Sequence, residues 1–237
     1  MLHPQYRAII GQLLWVSMIS RPDIAYAVSF LSRFCTSGTE THFKAAVGVV
    51  GYLFATKDKA ITYRREPSLN LREHILAHSE LKEYIFGKNT ILTFTDASHG
   101  GERPMAGYVG MLADGPVSWA AYRLPLTPLS VCQGEYHAAT RAAVMSKAYC
   151  DCIKFLGFEV QGAAPIFCDN RATILLSDAG ISVKKLRHVA THIAFLRELV
   201  NSQDAMLLHI GTKGQIADIC TKPLAAAIFH ELRVFLL

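Results

Sequence analysis

The chain has 237 residues, 51% of them hydrophobic and 18% charged, with a formal net charge of +5. This length and apolar content suit one or two domains with a packed core and exclude a disordered chain. The mild positive charge is compatible with a polyanionic partner without requiring one, and no apolar run reaches the roughly 18 residues of a membrane span.

The first twenty residues are apolar but interrupted by His3, Arg7, Gly11 and Gln12, which predicts a domain helix and not a signal peptide. Ile9, Ile10, Leu13, Leu14 and Trp15 recur at helical spacing, and Trp15 is expected in the core, as is Trp119. Arg21-Pro22-Asp23 breaks this pattern, and Pro22 suits the first turn of a second helix bearing Ile24, Ala27, Val28 and Leu31. After Ser37-Gly38-Thr39 a third helix is predicted through Phe43, Ala46, Val47, Val50 and Leu53, with a short strand at Ala60–Tyr63. Residues 66–90 carry Pro67, Asn70 and a run of charges, and read as a linker with one surface helix.

Beyond residue 90 strands come first. Ile91–Asp96, Ala106–Leu112 and a strand starting at Val117–Ala120 are joined by short loops, which implies an antiparallel meander. A helix over Gln133–Leu156, a strand at Pro165–Cys168, a helix from Asn170 and a helix over Lys184–Asn201 follow. Met206–Ile210 is the fifth strand, and the last helical stretch starts near Gln215 and continues beyond Pro223. The order β-β-β-α-β-α-α-β-α predicts an α/β fold, a mixed five-stranded sheet with flanking helices. Strands four and five, reached by helical crossovers, are expected parallel to strand one. The six cysteines form no C-x-x-C pair and read as reduced, buried thiols of an intracellular protein.

Four acids stand in apolar settings: Asp96, Glu135, Asp169 and Asp218. Their predicted places are late in strand one, early in the long helix, at the carboxyl end of strand four and at the start of the last helix. Ligands gather at the carboxyl ends of strands in such sheets. Clustered carboxylates repel and stay ionised only around a cation. Hard oxygen donors suit Mg²⁺ or Mn²⁺, and a pair of such ions serves in-line phosphodiester displacement. Read singly, Asp218 is also an ordinary helix-start acid and Asp169-Asn170 an ordinary cap.

The residues also carry a family resemblance. Ile10-Gly11-Gln12-Leu13-Leu14-Trp15, Arg21-Pro22-Asp23-Ile24-Ala25-Tyr26-Ala27-Val28, Thr95-Asp96-Ala97-Ser98, Gly107-Tyr108 and Ser118-Trp119 come in order. Gly134-Glu135-Tyr136-His137-Ala138, Phe167-Cys168-Asp169-Asn170, Arg187-His188 and Ala217-Asp218-Ile219-Cys220-Thr221-Lys222-Pro223-Leu224 follow. Together they resemble the C-terminal part of a copia-type LTR retrotransposon polyprotein, from the end of reverse transcriptase through RNase H. The resemblance implies a helical reverse-transcriptase remnant at 1–65, a linker at 66–90 and an RNase H-like domain at 91–237. It further implies an RNA–DNA hybrid as substrate, two Mg²⁺ or Mn²⁺ ions held by Asp96, Glu135, Asp169 and Asp218, and other parts of such a polyprotein as partners. Ser98, Asn170, Arg171, Arg187 and His188 are the expected substrate contacts, and Lys184 and Lys185 extend a basic track. Ser98, His99, Ala120, Gln133, Ala190 and Ala194 depart from the family's pattern. These departures support a rival reading, an inactive domesticated module kept as a binding scaffold. A nuclease of the same fold with a different substrate is a third.

Overall fold

The computed structural model describes residues 3–64, 69–87, 89–98, 104–124, 128, 130–177 and 190–237. Three helices open the chain: α1 (His3–Ile19), α2 (Ala25–Ser32) and α3 (Glu40–Ala55). Their shared core holds Tyr6, Ile10, Leu13, Ile24, Val28, Leu31 and Ala46. Pro22 begins a single 3₁₀ turn between α1 and α2, in keeping with its fixed φ and missing N–H. In that turn Asp23 is buried and accepts two bonds from Arg21, at 2.9 and 2.7 Å, and one from the Tyr52 hydroxyl at 2.6 Å. Buried charges require such pairing.

Helix α4 (Leu69–His78) leads into the sheet. It differs from the surface helix expected there, because Leu71 and Ile75 are buried in the same cluster as Phe94 and Phe167. Apolar residues four apart share one helix face, and that face closes the sheet. No strand forms at Ala60–Tyr63. The stretch docks instead through one backbone bond, Arg64 N to Ala113 O at 2.7 Å, and through the Tyr63 hydroxyl donating to Pro116 O. Trp15 also departs from expectation at 66% exposed, and Cys152 is exposed whereas Cys150, Cys168 and Cys220 are buried.

The five strands are β1 (Leu92–Ala97), β2 (Met105–Leu112), β3 (Gly115–Arg123), β4 (Ala164–Cys168) and β5 (Ala205–His209), in the order β3-β2-β1-β4-β5. The meander is antiparallel, and β4 pairs parallel with both β1 and β5. Ala113 and Asp114 turn the β2–β3 hairpin with φ of 51° and 65°, the left-handed pair that matches strand twist in two-residue loops. Helices α5 (Val131–Phe155), α6 (Arg171–Ser177) and α7 (Ala190–Asn201) follow the strand order, and α8 (Asp218–Thr221) and α9 (Ala226–Arg233) end the chain. This is the expected α/β fold, a mixed five-stranded sheet with flanking helices.

Strand alternation sorts the two faces. Leu92 and Phe94 join α4, α8 and α9 on one face. On the other, α5 packs Ala139, Ala142 and Ala143 under Tyr108 and Ile166, with Ile193 and Leu196 of α7 behind. The helical unit reaches this body as well. Trp119 Nε1 donates to Ser17 O at 2.6 Å, and Arg233 donates to the Tyr52 hydroxyl at 3.1 Å. Among the described residues no helix is long and apolar enough to cross a membrane.

Candidate active site

Strands β1 and β4 lie side by side, yet β1 turns to an antiparallel partner on its other edge. Their carboxyl ends therefore open the crevice where the strand order switches. Asp96 stands near the end of β1 and is 2% exposed. Asp169 follows β4 directly and is half-buried. Helix α5 brings Glu135 in from the opposite face. Its start is capped by the Ser130 hydroxyl, which accepts from Gln133 N. Gly134 permits the approach, since a Cβ there would lie 3.3 Å from the Ala97 side chain. Glu135 Oε1 then accepts from Ala97 N at 3.3 Å, and the Cys168 thiol donates weakly to Oε2 at 3.7 Å. The ligand atoms of Glu135, Cys168 and Asp169 all lie within 4.8 Å of one another.

Asp218 arrives on α8, whose descent depends on Gly107. That glycine pairs with Asp96 across β1 and β2. A Cβ on it would come within 2.7 Å of both Ala120 O and Cys220 Cβ and within 3.1 Å of Thr221 Cγ2. Only a residue without a side chain lets α8 sit so low. From there Thr221 donates a hydroxyl hydrogen bond to Asp96 Oδ2. Lys222 Nζ stands 2.8 Å from Asp218 Oδ1 and 3.5 Å from Asp96 Oδ2. The shorter contact is an ion pair without hydrogen-bond alignment. Fully buried Gln215 fixes the turn before α8. Its amide nitrogen donates to Thr95 O at 2.9 Å and Phe167 O at 3.4 Å, and its oxygen accepts from Ala217 N.

The electrostatics follow from this crowding. Burial, then the charges of Asp96 and Asp169, push Glu135 up to about 9. Burial and Asp96 push Asp218 up to about 7, against the pull of Lys222. Asp169 is raised by the same two causes in the same order. Without a cation the cluster holds protons that isolated carboxyls would release.

The four acids named from sequence thus meet at one place. The expected substrate contacts are a mixed set. The Ser98 hydroxyl is spent locally, donating to Met105 O and accepting from Met105 N where β1 and β2 diverge. Asn170 caps α6 by accepting from Thr173 N. Arg171 is exposed beside the acids in sequence and pairs with Glu80. Lys184, Lys185, Arg187, His188 and His99 lie outside the described residues. His137 and His192 face each other between α5 and α7, with ring centroids 4.2 Å apart. Gly107, Gln215, Thr221 and Lys222 carry the site without having been assigned roles from sequence. A buried glutamine and a lysine four residues after an acid give only weak signals on their own.

The chain is 27% identical over 231 residues to the retrovirus-related Pol polyprotein from transposon RE1 of Arabidopsis thaliana, covering 96% of this chain and 14% of that protein. It is 25% identical over 225 residues to that from transposon TNT 1-94 of Nicotiana tabacum, covering 92% of this chain and 15% of the relative. The transposon RE2 polyprotein of Arabidopsis thaliana is similar too, at 26% identity over 231 residues. A putative transposon Ty5-1 protein of Saccharomyces cerevisiae is 31% identical over 59% of this chain and 40% of its own length. The chain spans about one seventh of the length of these polyproteins. No family model matches it. Among solved structures it aligns with the N-terminal RNase H domain of rv2228c from Mycobacterium tuberculosis at 13% identity and TM-score 0.42, covering 62% of this chain and 97% of that one. It also aligns with LC11-RNase H1 in complex with an RNA/DNA hybrid at 17% identity and TM-score 0.43, covering 56% and 94%. Strand order, register and crossovers define the fold of the chain independently of these alignments.

Proposed function

We propose that this chain is a metal-dependent RNase H-type nuclease that hydrolyses the RNA strand of RNA–DNA hybrids. The observation that carries the proposal is the convergence of four carboxylates, from β1, α5, the end of β4 and α8, on one crevice. The residues fit divalent ions. Asp96, Glu135, Asp169 and Asp218 offer hard oxygen donors, and the raised Glu135 and Asp218 mark a cluster whose full negative charge calls for a cation. Two Mg²⁺ or Mn²⁺ ions are proposed, held by those four side chains. When bound, they would supply an activated water and charge stabilisation for the leaving oxygen.

The chain's own residues arrange the rest. Gln215 ties the carbonyl ends of β1 and β4 to the start of α8, so the acids of three elements share one rigid frame. Thr221 orients Asp96, and Thr212 donates to Asp169 at 3.4 Å. Asp169 is the most exposed of the four, which suits the side open to a scissile phosphate. Arg171 and Asn170, next in sequence, are proposed contacts to the hybrid, with Ser98, Arg187 and His188 completing the set. In this proposal residues 91–237 are the nuclease core, with α4 from the 66–90 segment packed upon it. Residues 1–65 are a remnant of reverse transcriptase, and other Pol segments are partners.

The test is cleavage of a labelled RNA–DNA hybrid in Mg²⁺ or Mn²⁺, beside double-stranded RNA, double-stranded DNA and the Asp169→Asn protein. Cleavage confined to the RNA strand of the hybrid is expected, leaving 5′-phosphate and 3′-hydroxyl ends, with a loss of at least about 100-fold in the variant. A folded wild-type protein that cuts nothing in either ion refutes the proposal and favours the scaffold reading.

A further inference from the structure

We infer that Lys222 is a resident cation of the acid cluster: its ammonium holds Asp96 and Asp218 together until a divalent ion displaces it. The inference rests on the proposed metal site. Its geometry starts from the sequence Asp218-Ile219-Cys220-Thr221-Lys222-Pro223. One short helical turn places Lys222 four residues after Asp218, on the same side of α8. The turn closes with Lys222 N donating to Asp218 O at 3.2 Å. Pro223 then forces the preceding residue out of the helical region, and Lys222 is extended at φ −144° and ψ 156°. The lysine side chain thus leaves from a fixed backbone.

Asp96 and Asp218 have side chains only 3% and 8% exposed, whereas that of Lys222 is 32% exposed. The ammonium therefore stands where solvent enters the pair. It competes for the oxygens an ion would need, because among the described residues Asp218 Oδ1 has no aligned hydrogen bond and Asp96 Oδ2 is otherwise held only by Thr221. The other half of the crevice is different. Among the described residues, Glu135 takes only an amide and a thiol, and Asp169 takes the Thr212 hydroxyl. Among the described residues no lysine or arginine forms an ion pair with either; Lys222 reaches Asp169 only through its longer-range charge. A divalent ion therefore meets one open half, at Glu135 and Asp169, and one guarded half, at Asp96 and Asp218. The two halves are expected to bind with different affinities, the weaker being the half that must expel Lys222.

The experiment measures Mn²⁺ binding by electron paramagnetic resonance to the full chain as wild type, Lys222→Met and Lys222→Arg. A unit charge about 5 Å from a divalent ion changes its affinity by about tenfold even in a watery dielectric. Lys222→Met is expected to tighten the weaker Mn²⁺ site by about tenfold, and Lys222→Arg to restore wild-type affinity. An unchanged or weakened site in Lys222→Met, or an arginine variant that behaves like the methionine one, overturns the inference and leaves the metal reading standing. A wild-type protein that binds no Mn²⁺ sinks both. Should Lys222→Met fail to fold, ¹⁵N spectra of the wild-type lysine ammonium groups decide the matter. The Lys222 signal is expected to move on saturation with Mg²⁺, and a signal that stays in place refutes displacement.

Discussion

Replacing Glu135 by glutamine is expected to change how the metal-free protein responds to pH. The Glu135 carboxyl is pushed from 4.5 to about 9 by burial and by Asp96 and Asp169. Between those values the folded protein keeps a proton that the unfolded chain has released. Its stability from this group is complete below about pH 4.5 and is lost as pH rises through about 9. One proton corresponds to about 1.36 kcal/mol per pH unit, so the step from pH 6 to pH 8 removes about 2.7 kcal/mol. For a chain of this size that is about 5–10 °C in Tm. Glutamine has the same shape, keeps an acceptor for Ala97 N and does not titrate. Glu135→Gln should therefore lose about 2.7 kcal/mol less than wild type over that interval. Asp218, pushed up to about 7, contributes its own loss to both proteins. Thermal unfolding in chelator at pH 6, 7 and 8 measures the difference. Equal pH slopes in the two proteins would show that Glu135 is not held protonated and would refute the crowding argument.

Two further outcomes follow from the packing. Gly107→Val places a branched side chain against Ala120 O, Cys220 and Thr221, so α8 must lift. A stability loss of about 1–3 kcal/mol is expected, with Mn²⁺ binding weakened at the same time; urea unfolding and calorimetry check both, and intact Mn²⁺ affinity would contradict the role given to this glycine. Asp23→Ala leaves Arg21 buried without its carboxylate and is expected to cost about 3–5 kcal/mol, far more than Glu40→Ala, whose pair with Lys44 is exposed; comparable midpoints for the two variants in urea would refute that contrast.

Much of this architecture was legible because its signals are local. Alternation in Leu92–Ala97 gave both the strand and its two faces. The long alanine-bearing helix and the crossover spacing gave the parallel pairing of β1, β4 and β5. The acids were legible by their apolar settings and neighbouring motifs. What escaped were features set by distant partners. Leu71 and Ile75 sit among charges that read as a linker, yet the sheet face needs a cover. Trp15 has helical spacing but falls on the outward side of α1. The stretch Ala60–Tyr63 has strand composition but meets the sheet only at the β2–β3 turn, through isolated bonds that make no ladder. Gln215 and Lys222 are ordinary polar residues until β1 and β4 end beside them.

The bond from Thr221 to Asp96 spans 125 residues, which has a consequence for biosynthesis. A ribosome adds about 5–20 residues per second, so Asp96 emerges roughly 6–25 s before the turn that completes its surroundings. Throughout that interval the nascent chain exposes β1 without the helix that covers its acid. Translation that stops short of Lys222 would leave Asp96 without the ammonium that stands beside it. Helix α8 therefore completes the surroundings of Asp96 well after β1 itself has been made.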